Sequence, residues 1–331
     1  MNTFGKLFRV NIFGESHGNG VGILIDGVPA GLPLSFSDFK NDLSRRRAGA
    51  KGTTPRKEAD LPKLHTGVFN DHTTGAPLTI LFENTNIRSK DYNKLREMPR
   101  PGHADFVASK KFGGFEDYRG GGHFSARLTL GLVGAGVIAK KIIKPIRIEA
   151  KLVEAGGNSD IEAAIDKAVE EQDSIGGLIE CRCTKMPVGL GEPFFDSVES
   201  MLAHMMFSIP AVKGIEFGSG FQASRMKGSE HNDTILSMDG KTETNHAGGI
   251  NGGISNGNDL VFRMAIKPTS SISKEQKTLN IKTGKLGTLK VEGRHDLCVA
   301  LRAPVIIEAA TAIVLADLML LEQIVPRIIK Q

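Results

Sequence analysis

Apolar Phe8, Val10 and Ile12 alternate with polar Arg9 and Asn11, the period of a half-buried strand. A second strand covers 21–25 and is ended by Asp26-Gly27. The stretch between them, 14–18, is therefore a connection at a sheet end. Ser35 starts a helix with Asp38 three residues on as its capping partner, and Phe36, Phe39 and Leu43 mark the buried face. Segments 64–69 and 78–82 read as a hairpin around NDHTTG. A turn at Pro101-Gly102 precedes a short helix that runs through Lys111. The run 126–143 suits a mostly buried helix, with Ser125 at its N-cap. Ser159, with Glu162 three residues on, caps another helix that keeps Ile161, Ala164, Ile165 and Ala168 inside. Further strands fall at 178–183, 212–217, 260–266 and 289–292, and a helix runs from Asp196 or Ser197 to Phe207. Pro304 suits the first turn of a last helix, apolar almost throughout to about Val325. Such a helix is buried in the core or against another subunit. The order of elements predicts an α+β fold with mostly antiparallel sheets and long buried helices.

Length allows one large domain or two smaller ones at 331 residues. Hydrophobic content of 40% and charged content of 24% belong to a globular protein. The 39 glycines cluster at 113–136 and 214–257, which predicts loops that approach a ligand. A net charge of +5 fits nucleic acid, a membrane surface or an anionic metabolite as partner. Three cysteines, two of them a residue apart in a predicted strand, argue against a disulfide framework and for a reducing compartment. The N-terminus lacks a basic-then-apolar signal pattern, and the apolar run 128–139 is too short for a bilayer. A soluble, cytoplasmic protein is expected.

The chemistry concentrates in a few stretches. RGGGHFSARLTLGLVGAG, at 119–136, joins three glycines to a capped helix start. Free N–H groups there and Arg127 make an anion site; a plain turn feeding a core helix is the simpler reading. GESHG at 14–18 puts His17 on a loop, either for chemistry or as a turn residue. Arg45, Arg46 and Arg47 end the first helix. Capping of the helix dipole accounts for some of this charge, but Lys51, Arg56 and Lys57 extend it into an anion-binding loop, which Gly49 and Gly52 make mobile. His103, in RPGHADF, stands where a helix N-terminus would favour its neutral form. The 245–259 stretch is too glycine-rich for a regular element, and is either a disordered tip or backbone wrapped on a ligand. Lys267, Pro268, Thr269, Ser270 and Ser271 offer a cation beside three hydroxyls, and 294–296 reads RHD. Histidine spacing fits no metal site, CxxC is absent, and so are GxSxG, a P-loop and a helix-opening GxGxxG. The many loop arginines suit a small polyanion.

Taken together, GESHG, the 119–136 stretch and GRHDLCVALRAPVIIEA at 293–309 resemble the chorismate synthase family. The likeness runs from FGKLFRVNIFGESHG to the last helix. It implies a single β-α-β sandwich domain over 1–331, in a homotetramer. It also implies a 1,4-elimination of phosphate from 5-enolpyruvylshikimate 3-phosphate, giving chorismate, with reduced FMN and no net redox change. By motif position, His17 is the general acid toward the departing phosphate, His103 sets the protonation of the flavin, and Asp296 helps to deprotonate flavin N5. Ser16 and Ser125 are proton relays. Arg45, Arg46, Arg127 and Arg294 hold substrate anions or cofactor phosphate. Flavin contacts map to His123, Phe124, Ser125, Pro210, Ala211, Gly252, Lys267, Pro268, Thr269, Ser270, Ser271 and Arg294. Family descriptions also place NADPH near Arg46, although a monofunctional chain would take FMN reduced by an external flavin reductase.

The chain departs from the family where His123-Phe124 replaces arginine and a small residue, and where Lys51 stands near a usual arginine. Two other classes remain as rivals. A nucleic-acid-binding protein would use the basic 45–57 segment, but with no tryptophan and two tyrosines it has few stacking platforms. A metal-dependent hydrolase would be built on His17, His103 and His295.

Overall fold

Strand periodicity in the first quarter of the chain builds a five-stranded antiparallel sheet. The computed structural model describes residues 1–54, 58–86, 92, 94–291 and 295–330. Strands β1 (Thr3–Phe4), β2 (Arg9–Gly14) and β3 (Gly20–Asp26) come first. Helix α1 (Phe36–Arg46) follows, then β4 (Lys63–Thr66), β5 (Val68–Phe69), β6 (His72–Thr73) and β7 (Leu78–Glu83). The sheet order is β1-β2-β3-β7-β4. The predicted hairpin is the β4–β7 pair, and β5 pairs with β6 at its tip. The capping box of α1 forms as expected, with Ser35 N donating to the Asp38 carboxylate at 2.8 Å. Phe39 and Leu43 are buried, but Phe36 is 62% exposed and lies off the buried face.

Next come α2 (Asp105–Phe112), α3 (Thr129–Ile142), β8 (Arg147–Ala155), α4 (Ile161–Glu170) and β9 (Gly177–Thr184). After them lie α5 (Val198–Phe207), β10 (Val212–Phe217), the single turn α6 (Gly228–His231), the hairpin β11 (Ile250–Asn251) with β12 (Ile254–Ser255), and β13 (Leu260–Ile266). A second antiparallel sheet has the order β10-β13-β9-β8. The sequence pattern passes over β8 because it is an edge strand whose alternation is broken by a bulge between Leu152 and Glu154. Of the strand predicted at 289–292, Leu289 ends β15 (Lys285–Leu289), which pairs with β14 (Gln276–Asn280) as a hairpin; Lys290 and Val291 are outside any strand, and Glu292 lies outside the described residues. Much of this hairpin faces solvent, so its apolar alternation is weak. Asp160, not Ser159, caps α4, accepting from Ala163 N at 3.1 Å.

Two helices lie between the sheets. α3 packs on β3 and β7, and α7 (Ala303–Leu321) packs on α3, β8 and β9. Glycine sets how close they come: a Cβ on Gly136 would lie 2.3 Å from Ala309 Cβ. The result is a β-α-β sandwich of two antiparallel sheets around buried helices. Val299–Leu321 is long and apolar enough to cross a membrane, yet 83% of its most apolar window is buried within the fold. Two carboxylates interrupt its apolar run, and each has partners, as burial of charge demands. Asp317 accepts from Lys6 N, Leu7 N and Phe8 N at 2.9, 2.7 and 2.8 Å, tying the N-terminal segment to the helix. Glu308 takes both guanidinium arms of Arg45, each at 2.7 Å, and Lys140 at 2.9 Å.

Candidate active site

The three-glycine turn brings the predicted histidines together. Gly120, Gly121 and Gly122 all have positive φ (61°, 79° and 51°), which L side chains resist. Gly120 fronts Ser16 and His17, while Gly121 fronts His103. Ser16 N donates to Gly122 O at 3.1 Å, and His123 Nδ1 lies 2.9 Å from Gly14 O. The turn is thus fastened to Gly14 and Ser16 of the 14–18 loop. Ser16 and His17 are buried, and the Tyr92 ring meets His17 edge-on with centroids 5.1 Å apart. Beside them the Arg119 guanidinium, with a smaller contribution from His17, holds the Asp117 carboxyl below its ordinary value despite partial burial.

His103 lies 2.6 Å from Asp105 through Nδ1. Arg100 Nη2, a donor, lies 3.0 Å from the same nitrogen, so Nδ1 is held between a carboxylate and a guanidinium while Nε2 faces Gly121. Burial works to raise the Asp105 carboxyl, but hydrogen bonds from Arg100 and His103 hold it far below the usual range. Arg100 donates twice to Asp105, from Nε and Nη2 at 2.7 Å each, and once to Ser271 Oγ at 2.9 Å. Ser270 Oγ donates to Gly102 O at 2.8 Å, and Lys267 Nζ to Ser270 Oγ at 2.9 Å. These bonds fasten the RPGHAD turn to the KPTSS run. Desolvation, with repulsion from Lys213, lowers the Lys267 ammonium.

A third wall is cationic. Arg46 is buried and donates to Ala126 O at 2.9 Å and to Thr129 Oγ1 at 3.1 Å. Burial, then repulsion from Arg302, lowers its guanidinium to about 9, with Asp60 and Asp296 acting in the opposite sense. Arg127 donates to Asp60 at 2.8 Å and to Asn84 at 2.7 Å. Arg302 reaches Asp296 at 3.2 Å, and Asp296 also accepts from Thr54 N at 2.8 Å. Ser125 Oγ accepts from Arg127 N at 3.3 Å and caps the 3-10 turn Ala126–Leu128 that leads into α3.

These walls enclose a cavity of about 930 Å³, at the upper end of the roughly 300–1,000 Å³ common for ligand sites. Ser16, His103, Ser125, Asp296, Arg46 and Arg127 line it, as do His123, Phe124, Pro210, Ala211 and the whole KPTSS run. His17 lies just behind that wall, against Gly120. Arg45 points elsewhere, into Glu308, and Lys51 pairs with Asp166 of α4 at 2.5 Å. Gly252 is at the tip of the β11–β12 hairpin, with open space where a Cβ would be. Arg294, Arg56 and Lys57 lie outside the described residues. The sequence reading missed Arg302, Asp60, Lys213 and Tyr92, all on the cavity wall. Arg302 had one signal: a cation at the start of an apolar helix, two residues before Pro304, is a poor choice for the helix dipole. Asp60 had none in its local pattern.

The donor set suits a flavin. Phe124, Leu128, Phe207 and Pro210 give apolar wall for a flat ring system, and Lys267 with the hydroxyls beside it gives a polar edge. Ala211 holds φ 76° at this wall, a strained conformation for a residue with a Cβ, and its carbonyl accepts from Lys267 N at 2.9 Å. Thr269 Oγ1 is buried with no hydrogen-bond partner, an orphan donor within the KPTSS run. Among the described residues, no group of three His, Cys, Asp or Glu side chains is arranged to hold a metal ion.

The family model for chorismate synthase matches residues 8–320. A chorismate synthase from Chitinophaga pinensis is 67% identical over 331 residues, with all of both chains covered. One from Dehalococcoides mccartyi is 48% identical over 362 aligned positions, again covering both chains fully. A crystal structure of a chorismate synthase superposes with a TM-score of 0.73 at 25% identity, covering 96% of this chain and 93% of that one. The chain belongs to the chorismate synthase family of lyases.

Proposed function

We propose that the chain removes phosphate from 5-enolpyruvylshikimate 3-phosphate to give chorismate, with reduced FMN held in the same cavity. The observation that carries this reading is the meeting, around one glycine turn, of two histidines with a wall of buried arginines. The substrate bears two carboxylates and a phosphate, and each anion needs a cationic partner to leave water. Arg46 and Arg127 supply two such partners, and Arg100 also lines the cavity.

Reduced FMN, when bound, supplies electron density as phosphate departs and a site for the ring proton. Lys267, Thr269, Ser270 and Phe124 would hold it. His17, behind Ser16 and Gly120, is placed to give a proton to the leaving phosphate, and Ser16 can relay it. His103, fixed at Nδ1 by Asp105 and Arg100, presents Nε2 toward the glycine turn for proton exchange. The Asp296 carboxylate is the proposed acceptor for the flavin proton, and Ser125, which lines the same cavity, is a proposed relay.

Assembly as a homotetramer in the cytoplasm, served by an external flavin reductase, is part of the same proposal. Adjacent Phe194 and Phe195, both solvent-exposed, fit an apolar contact between copies. The test is an anaerobic incubation with pre-reduced FMN and the enolpyruvyl substrate. Chorismate and phosphate should appear in equal amounts, and neither should form with oxidised FMN. No product with reduced FMN in excess would reject the reading.

A further inference from the structure

Arg302 occupies an electrostatically poor place. It is the N-cap residue of α7, where the helix dipole disfavours a cation, and it repels the buried Arg46. Its contacts show what offsets this. Nη1 donates to both Asp296 oxygens, at 3.3 and 3.2 Å, and Nε donates to Arg46 O at 3.0 Å. Arg46 is the last residue of α1, so its carbonyl is one of the orphan acceptors of a helix end. On the far side of the 47–54 segment, Asp296 accepts the amide proton of Thr54 at 2.8 Å. The ion pair therefore grips the segment at both ends, and Gly52 O is held between them by Leu297 N and Cys298 N at 2.9 and 3.1 Å. Arg47, Ala48 and Thr54 of this segment line the cavity.

We propose that Arg302 is a positioning residue: it orients the Asp296 carboxylate and, through it, latches the basic 47–54 segment to the cavity wall. A guanidinium suits the task because its planar fork reaches a carboxylate and a carbonyl from one fixed geometry. Lysine offers a single point of attachment. Arg46, Asp60 and Arg127 also act on this region, but Asp60 is engaged by Arg127 and does not replace the bridge.

Arg302→Gln and Arg302→Lys in the full chain test this by hydrogen exchange and by kinetics. With the latch broken in Arg302→Gln, the Thr54 amide should exchange about tenfold faster than in the parent, as loss of about one charge-assisted hydrogen bond implies. Amides of β3 and α3 should keep their rates, and Arg302→Lys should recover only part of the protection. The kinetic arm rests on the proposed reaction: kcat should fall about tenfold with KM little changed, and Arg302→Lys should restore part of kcat. Unchanged Thr54 exchange in Arg302→Gln overturns the proposal. So does a raised KM with kcat intact, which would make Arg302 a substrate contact. If Arg302→Gln does not fold, Arg302→Lys carries the same two readouts. A parent chain that is inactive on the enolpyruvyl substrate would sink the proposed reaction but leave the exchange result standing.

Discussion

Gly120 touches His17 with no room for a side chain between them: a Cβ added at Gly120 would lie 2.5 Å from His17 Cδ2 and 2.7 Å from Nε2. Its φ of 61° adds strain to any replacement. Gly120→Ala should therefore push the imidazole out of place. Turnover is expected to drop about a hundredfold, the scale of a displacement of roughly 1 Å at a reacting group, while flavin affinity stays near that of the parent. Steady-state assay and flavin titration check both halves. Full activity in this variant would remove His17 from the reaction.

The two histidines carry separate predictions. His17→Ala and His103→Ala should each lower turnover at least about tenfold, as for a lost acid–base group. Near-parental rates in both variants would rule out those assignments. Loss in one only would separate the phosphate side of the turn from the Asp105 side.

Much of this was readable along the chain, for identifiable reasons. The Ser35 cap, the strands flanking 14–18 and the apolar last helix follow from local pattern, and local pattern is what the structure retains there. Contacts between distant segments were less visible. Arg45 looks like a substrate arginine by its neighbours, yet it goes to Glu308, 263 residues away. The hint was Glu308 itself, a carboxylate inside an apolar helix that had to find a cation. Asp60 and Arg302 belong to the cavity only because α1, α3 and α7 meet there, and no periodicity encodes that meeting. Gly252 was carried over by motif alone, and this chain places it on an open hairpin tip.

The α3–α7 crossing depends on Gly136. Alanine has the better helix propensity, by roughly 1 kcal/mol. Here the added methyl would fall 2.3 Å from Ala309 Cβ and 2.5 Å from its Cα, both on a rigid helix. Overlap should win, so Gly136→Ala is expected to destabilise the fold by about 1–3 kcal/mol in urea denaturation. A stabilised variant would mean that the helices are farther apart than described.

Acid should weaken the core at Glu308. Burial alone would raise this carboxyl, but Arg45 and Lys140 hold it below its ordinary 4.5. A group depressed by folding stabilises the protein above its unfolded value, and that stabilisation is lost as pH falls through the folded value. Tm should therefore decline as pH is lowered below about 4.5. Glu308→Gln should have a lower Tm at pH 7 and a shallower acid decline, and parallel curves for the two proteins would contradict the ion-pair account.

The central claim is that the arginine wall and the KPTSS wall hold an anionic substrate and a reduced flavin together. Anaerobic mixing of the chain and reduced FMN with 5-enolpyruvylshikimate 3-phosphate, followed by flavin absorbance, tests it most directly. A spectral change that saturates with substrate, and disappears in Lys267→Ala or Arg127→Ala, is the predicted result. A reduced-flavin spectrum that stays the same at every substrate concentration would contradict it.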